Sequence, residues 1–366
     1  MNRSFRRTFC TLAISAAASV AAAGLPASAH AQQKIELTYA TYLPKAFTFV
    51  QVDDWYMGEV TKRTNGRVTF KTYYGASLLK ALDVFPGLAS GAADLATGAP
   101  GYNVDMLPLS SVIQPYITEK ADAAVLAFSE LYRTNEVFKN EWQKNNMRLV
   151  YPLAAVENTL WTRKPVRTAA DLKGMRIRAT LGVAQSLNLL GATPVAMGMQ
   201  DGVEALKRGA IDGFASSPFD LGVQVGLHEA AAYANDAGRM GVYGIIATAF
   251  NLNAWNKLPP DVQKVFDEVA AEAPKKFLEL TNAAVAAAAA KFAATKSIQA
   301  VRPTEEENAS WKAKTAQAVW DKWLADMKAK GLDGKPVLDQ FITLVRKYEP
   351  ASGYTPGFDL LAKQKQ

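Results

Sequence analysis

The spacing of apolar residues changes period along the chain, and each change predicts an element. Ile35 to Tyr42, IELTYATY, reads as a strand. Phe47 to Thr64 carries apolar residues at helical spacing and stops near Asn65-Gly66. Val68 to Tyr74 alternates again and ends at Gly75. Leu79 to Ser90 reads as a helix, and Ala92 to Thr97 as a short strand. Strand–helix–strand–helix–strand with short glycine-marked turns predicts an α/β domain. The pattern returns later. Strands are expected at Arg148–Leu153, Asn158–Arg163, Met175–Ala179, Thr193–Met197 and Ile211–Ala215. Helices are expected at Ala184–Leu190 and Gln200–Arg208, each followed by a glycine.

Two stretches resemble each other. Leu88 to Asp94 (LASGAAD) and Leu206 to Asp212 (LKRGAID) are both a helix end, a glycine cap and a strand carrying an aspartate. Either this is the general helix–glycine–strand join of α/β proteins, or the chain contains two similar lobes.

The C-terminal third changes character. Pro260 to Thr295 consists almost wholly of helix formers, entered through Leu258-Pro259-Pro260-Asp261 and alanine-rich at 283–290. Some 35 residues at 1.5 Å each would span roughly 50 Å, more than the width of one lobe. The alternative is two helices broken in the alanine run. Further helices are expected at Glu305–Lys330 and Val337–Tyr348, and a loosely ordered tail after Pro350. Two α/β lobes clasped by a long helix leave a cleft, where small ligands bind.

Composition narrows the chemistry. The chain has 366 residues, 49% hydrophobic and 20% charged, with a formal charge of +7. Arg3, Arg6 and Arg7 precede an apolar run from Thr11 to Leu25 and an A-x-A site at Ala29-His30-Ala31. Residues 1–31 are therefore expected to be a cleaved secretory signal peptide. Arg6-Arg7-Thr8-Phe9 leaves twin-arginine export open beside the general route. Cleavage would remove three arginines and lower the charge to +4. No cluster of basic and aromatic residues points to nucleic acid. No later apolar stretch reaches about 18 uncharged residues, so a soluble protein is expected.

Cleavage would also remove Cys10, the sole cysteine, and His30, leaving His228 as the one imidazole. Disulfides, cysteine nucleophiles, thiolate zinc sites and multi-histidine metal sites are then excluded. His228, in GLHEAA, reads as a helix-surface residue, and no G-x-S-x-G accompanies a serine. G-x-x-x-x-G-K-[ST] and G-x-G-x-x-G are both absent. Holding a small molecule is expected rather than transforming one; no catalytic residue, cofactor or metal is assigned. Asp171 to Thr180, DLKGMRIRAT, raises a sharper question. Arg176 and Arg178 alternate with Met175 and Ile177, so two cations share one face of a strand. Both can be solvated, or one can await an anion.

These stretches carry a family resemblance. Asp171-Leu172-Lys173-Gly174 with Arg178, then Leu190-Gly191-Ala192-Thr193-Pro194-Val195, then Glu204 to Gly213 with Ala205-Leu206, Gly209 and Asp212 resemble the solute-binding proteins of TRAP (tripartite ATP-independent periplasmic) transporters. Thr64-Asn65-Gly66-Arg67-Val68 and Trp255-Asn256-Lys257-Leu258-Pro259 fit the same family. The resemblance implies a two-lobed α/β periplasmic binding-protein fold with a ligand cleft between the lobes and a long helix spanning both. Its implied boundaries are lobe I at 32–155, lobe II at 156–245, a return to lobe I at 246–285, a return to lobe II at 286–350 and a tail at 351–366. It implies that Arg178 pairs with a ligand carboxylate, a role that suits a planar guanidinium, and that Arg176 is solvated.

Two departures shape the expected ligand. Where family members that bind sialic acid or C4-dicarboxylates usually carry a second arginine, this chain has Asn158. Where the motif often ends in Asn-Pro, it has Ser216-Ser217-Pro218. A monocarboxylate with an apolar or aromatic body is thus expected, contacted by Arg178, Asn158 and Ser217. Tyr42, Trp161, Phe214, Phe219 and Tyr243 are candidate lining residues, with core packing the alternative for each. The resemblance implies a monomeric periplasmic receptor that delivers an organic acid to a membrane permease. A sensory binding protein, an ABC-type importer receptor and, remotely, a carboxylate-processing enzyme are the alternatives.

Overall fold

The computed structural model describes residues 34–363, so the expected signal peptide at 1–31 lies outside the described residues. The chain begins β1 (Ile35–Thr41), α1 (Thr48–Arg63), β2 (Val68–Tyr73), α2 (Val84–Ser90), β3 (Leu95–Gly98), α3 (Ala121–Thr134), α4 (Glu136–Lys144) and β4 (Met147–Ala155). It continues β5 (Leu160–Thr162), β6 (Arg176–Arg178), α5 (Leu181–Leu189), β7 (Thr193–Val195), α6 (Met199–Lys207), β8 (Gly213–Phe214), α7 (Phe219–Gln224), α8 (Leu227–Ala230) and β9 (Tyr233–Asn235). It closes with β10 (Gly244–Asn251), α9 (Leu252–Asn256), α10 (Pro260–Ala294), β11 (Gln299–Val301), α11 (Glu305–Ala329), α12 (Lys335–Tyr348) and α13 (Gly357–Lys363).

Two sheets result, one for each lobe. The first has the order β2-β1-β3-β10-β4 and the second β11-β9-β5-β8-β6-β7. In the first, β1 is parallel to β2 and β3, and β10 runs antiparallel to β3 and β4. In the second, β6 is parallel to β7 and β8, and β5 runs antiparallel to β8 and β9. Apart from β11 the two arrangements are the same. The paired sequence stretches are the matching joins. Gly91 and Gly209 both take a left-handed conformation, φ 86° and 71°. Beyond them Asp94 and Asp212 exchange hydrogen bonds with the adjacent strand. Asp94 N–H donates to the Thr38 carbonyl, and Thr38 N–H donates to the Asp94 carboxylate. Asp212 does the same with Arg176.

The long helix ties the sheets together. α10 is one unbroken helix of 35 residues despite Pro274, so the two-helix alternative is not realised. From Val262 to Val285 its buried residues recur every three or four positions, and Ala288, Ala289 and Phe292 complete the stripe. Near its start Phe266 packs edge-on against Phe250 and Trp255 of the first lobe. Near its end Phe292 meets Trp161 and Phe219 of the second. It is long and apolar enough to cross a membrane, but its apolar stripe is covered by protein.

Several expectations need correction. The helix expected from Leu79 begins at Val84. Asp83 N–H turns back on Lys80, and the Leu82 carbonyl is taken by the Asn103 amide, so these backbone groups are satisfied outside a helix. Strand β10 and helices α3 and α4 were not legible from periodicity; β10 is apolar on both faces. Residues 335–348 do not join the second lobe. Helix α12 lays Val337, Leu338, Phe341 and Val345 toward the first lobe, and Lys347 pairs with Glu130 on α3. The tail is not loose. Asp122 accepts from Ser352 and Gly353, Glu157 accepts from Tyr354 and Gly357, and Phe358 packs on Phe219. His228 is not on the surface but 1% exposed, and burial holds its pKa below the usual value.

Candidate functional site

A cavity of about 1030 Å³ opens between the two sheets. The first lobe lines it with the β1–α1 turn, where Tyr42 lies, and with the loop after β3, where Tyr102 lies. The second lobe contributes the ends of β6 and β8. Tyr243, Ile245 and Ile246 line it where the chain returns to the first sheet, and Trp323 and Met327 of α11 cover one side.

Arg178 is the last residue of β6, which lies between β7 and β8, and it lines this cavity. Its side chain is 2% exposed. Nε donates to the Met197 carbonyl at 3.0 Å, and Nη1 donates to the Ala215 and Ser216 carbonyls at 3.1 Å. The guanidinium carbon lies 4.7 Å from the centre of the Phe214 ring. Nη2 has no hydrogen-bond partner among the described residues, and no carboxylate pairs with the group. Five other arginines, Arg63, Arg67, Arg148, Arg239 and Arg302, each hold an Asp or Glu, and none of the described arginines without such a partner is as buried as Arg178. A buried cation without a counter-ion is costly, and an incoming anion offsets that cost. Arg176, two residues earlier, is exposed.

The turn after β8 is built around Arg178. Ser216 adopts φ 53°. Its N–H donates to Asn158 Oδ1 at 2.7 Å, and its Oγ accepts from Thr180 N–H at 2.9 Å. Those bonds hold the Ser216 carbonyl toward the guanidinium. Tyr42 and Tyr243 both lie within the field of Arg178, yet burial pushes both phenols well above their usual pKa. They therefore remain hydroxyl donors at neutral pH.

The structure brings Arg178, Tyr42 and Tyr243 together on the cavity and leaves the five other candidates, Asn158, Ser217, Trp161, Phe214 and Phe219, off its wall. Asn158 is fully buried and supports the Ser216 turn; its amide nitrogen lies 3.7 Å from the Met240 sulfur. Ser217 donates to the neighbouring Pro218 carbonyl at 3.1 Å. Trp161 is stacked on Phe219 in the second-lobe core, and Phe214 lies beneath Arg178. All five are buried in the second-lobe packing, a distinction that residue type does not carry. Sequence reasoning missed Tyr102, Leu181, Ser216 and the α11 residues Trp323 and Met327. An aromatic after Ala99-Pro100-Gly101 was a usable loop signal; Leu181 had none.

The family model for bacterial extracellular solute-binding proteins, family 7, matches residues 51–326. The fold is similar to a TRAP periplasmic solute-binding protein from Desulfovibrio salexigens, with a TM-score of 0.77 and 30% identity over 86% of this chain and 97% of that one. It is also similar to a TRAP solute-binding protein from Rhodoferax ferrireducens in complex with copurified benzoate, with a TM-score of 0.78 and 25% identity over 87% and 100%. A monocarboxylate 2-oxoacid-binding periplasmic protein of Nostoc is 24% identical over 227 residues, 58% of this chain. That match spans 59% of the Nostoc protein's length.

Proposed function

The chain belongs to the family 7 extracellular solute-binding proteins, the TRAP solute receptors, and from that premise we propose that it binds a small monocarboxylate with an apolar or aromatic body. One observation carries the reading. Arg178 is a buried cation with no carboxylate of the described residues beside it, on a cavity walled mainly by aromatic and aliphatic side chains, where the other cations, Lys322 and Lys330, are already paired with Asp326 and Asp105. Asn158, at the place of a second family cation, is committed to Ser216. The benzoate bound by the Rhodoferax protein and the 2-oxo acids named for the Nostoc protein are consistent with this ligand class.

The carboxylate docks on Nη2 and the accessible edge of Arg178, with the Tyr42 and Tyr243 hydroxyls as further donors. The chain crosses between sheets at 156–159 and 236–243, and α10 joins them again. Lobe I of the receptor is read as the first sheet with its helices, and lobe II as the second. Bending at those crossings closes the lobes on the ligand. Closure expels water, which strengthens the ion pair. The closed monomer then presents its cargo to a membrane permease in the periplasm, reached by cleavage at residue 31. Binding and release, without turnover, are the activity.

A thermal-shift panel of aromatic acids, 2-oxo acids, sugar acids and dicarboxylates tests the ligand class, because a ligand that binds only the folded state raises the melting temperature. An aromatic or branched monocarboxylate should give the largest shift, and Arg178→Ala should abolish it while melting cooperatively. A shift with dicarboxylates alone, or full affinity in Arg178→Ala, would overturn the reading.

A further inference from the structure

Leu181 lies three residues beyond Arg178, at the start of α5, with φ 52°. That left-handed conformation is disfavoured for any residue with a Cβ and persists only where the surroundings impose it. Both neighbours do so here. Thr180 is clamped to the Ser216 side chain, which accepts its N–H at 2.9 Å and donates to its carbonyl at 3.3 Å. Gly182 is pressed against the first lobe: a Cβ there would fall 2.7 Å from both Gln114 Oε1 and Pro115 Cδ.

The result is an apolar side chain directed into the cavity. Leu181 is 45% exposed, among the few large hydrophobic residues so exposed, and it lines the same space as Arg178. It reaches the opposite wall, where Gly101 has no side chain; a Cβ on Gly101 would lie 2.7 Å from Leu181 Cδ1. Packing within the second lobe gives no reason for this arrangement, since Val183 and Leu187 of the same helix already fill that core.

We propose that Leu181 is a specificity-determining residue: an apolar wall on a strained, clamped backbone that favours carboxylates with an apolar body over short ones. The inference rests on the carboxylate-receptor reading above. Arg178 grips any carboxylate, whereas Leu181 contacts only a body long enough to extend past it. The Thr180–Ser216 bonds and the packing at Gly182 fix the backbone of this wall, so the ligand does not have to order it on binding.

The experiment measures benzoate and pyruvate binding by calorimetry, and thermal melting, for the wild type, Leu181→Ala, Leu181→Gly and Arg178→Ala. Both Leu181 variants should lose about tenfold in benzoate affinity and change by less than roughly twofold toward pyruvate. Leu181→Gly should melt about 2 °C above Leu181→Ala, because both lack the side chain and only glycine is at ease at this φ. Equal effects on both acids, no loss for benzoate, or a Leu181→Gly melt no higher than that of Leu181→Ala would each overturn the inference alone. A wild type that binds neither acid, or an Arg178→Ala that binds like wild type, would instead remove the underlying reading.

Discussion

At the scale of single residues, the contrast between Arg176 and Arg178 is decided by where β6 ends. Both lie on one face of an alternating strand. Arg176 meets solvent, while Arg178 reaches a buried cradle of three carbonyls and the Phe214 ring. That cradle fits a planar, forked cation. A lysine would keep the charge but lose the bidentate geometry and the ring stacking. Arg178→Lys is therefore expected to fold normally and to bind the best carboxylate of the panel about 30-fold more weakly by calorimetry, between wild type and Arg178→Ala. The same cradle explains Asn158. Its position relative to Lys164-Pro165 was readable, but the commitment of its Oδ1 to Ser216 N–H was not.

At the scale of elements, the helix–glycine–strand joins are where reading ahead worked best, because their chemistry is local. Gly91 and Gly209 end helices in a conformation glycine adopts without strain. Asp94 and Asp212 then satisfy a backbone N–H on the neighbouring parallel strand. Asp94→Ala and Asp212→Ala should each lower stability by about 1 kcal/mol in urea unfolding, the usual value of one such bond. The double variant should lose the sum, because the two joins serve different sheets. Elements without local punctuation stayed hidden. Strand β10 is buried on both faces, so it shows no alternation, and its partners β3 and β4 come from distant parts of the chain.

At the scale of the whole molecule, the C-terminal tail bolts the crossing between the lobes. Glu157 stands in the 156–159 crossing, and its carboxylate accepts from Tyr354 and Gly357. Burial raises its pKa from 4.5 to about 8, against the lowering effect of those bonds. The folded protein thus keeps Glu157 protonated at pH values where the unfolded chain has released that proton. Its contribution to stability is complete below pH 4.5 and is lost as the pH rises to about 8. Asp53, Glu141, Asp220 and Asp236 are raised by burial as well, to about 6, 7, 6 and 6, and act in the same direction. The melting temperature should fall between pH 5 and pH 8. Glu157→Gln should remove roughly 2–4 °C of that fall in scanning calorimetry, and the four other acids should retain the rest.

The sequence by itself determined the α/β class, the paired joins, the helical run from Pro260 and the scarcity of catalytic groups, whereas Arg178 was singled out through the family resemblance and the unbroken course of the long helix by the structure. The class, the joins, the helical run and the inventory follow from short-range period, capping chemistry and residue type, which operate within a few positions of the chain. Only the tertiary structure decided which side chains share the cavity. Trp161 and Phe214 are aromatic like Tyr42 and Tyr243, yet the first pair is buried in packing and the second lines the cavity. The tail and α12 were likewise assigned by contacts with Glu157, Asp122 and α3, more than a hundred residues away. Packing against distant segments leaves no periodic trace in the segment itself, so its outcome appears only once the chain has folded.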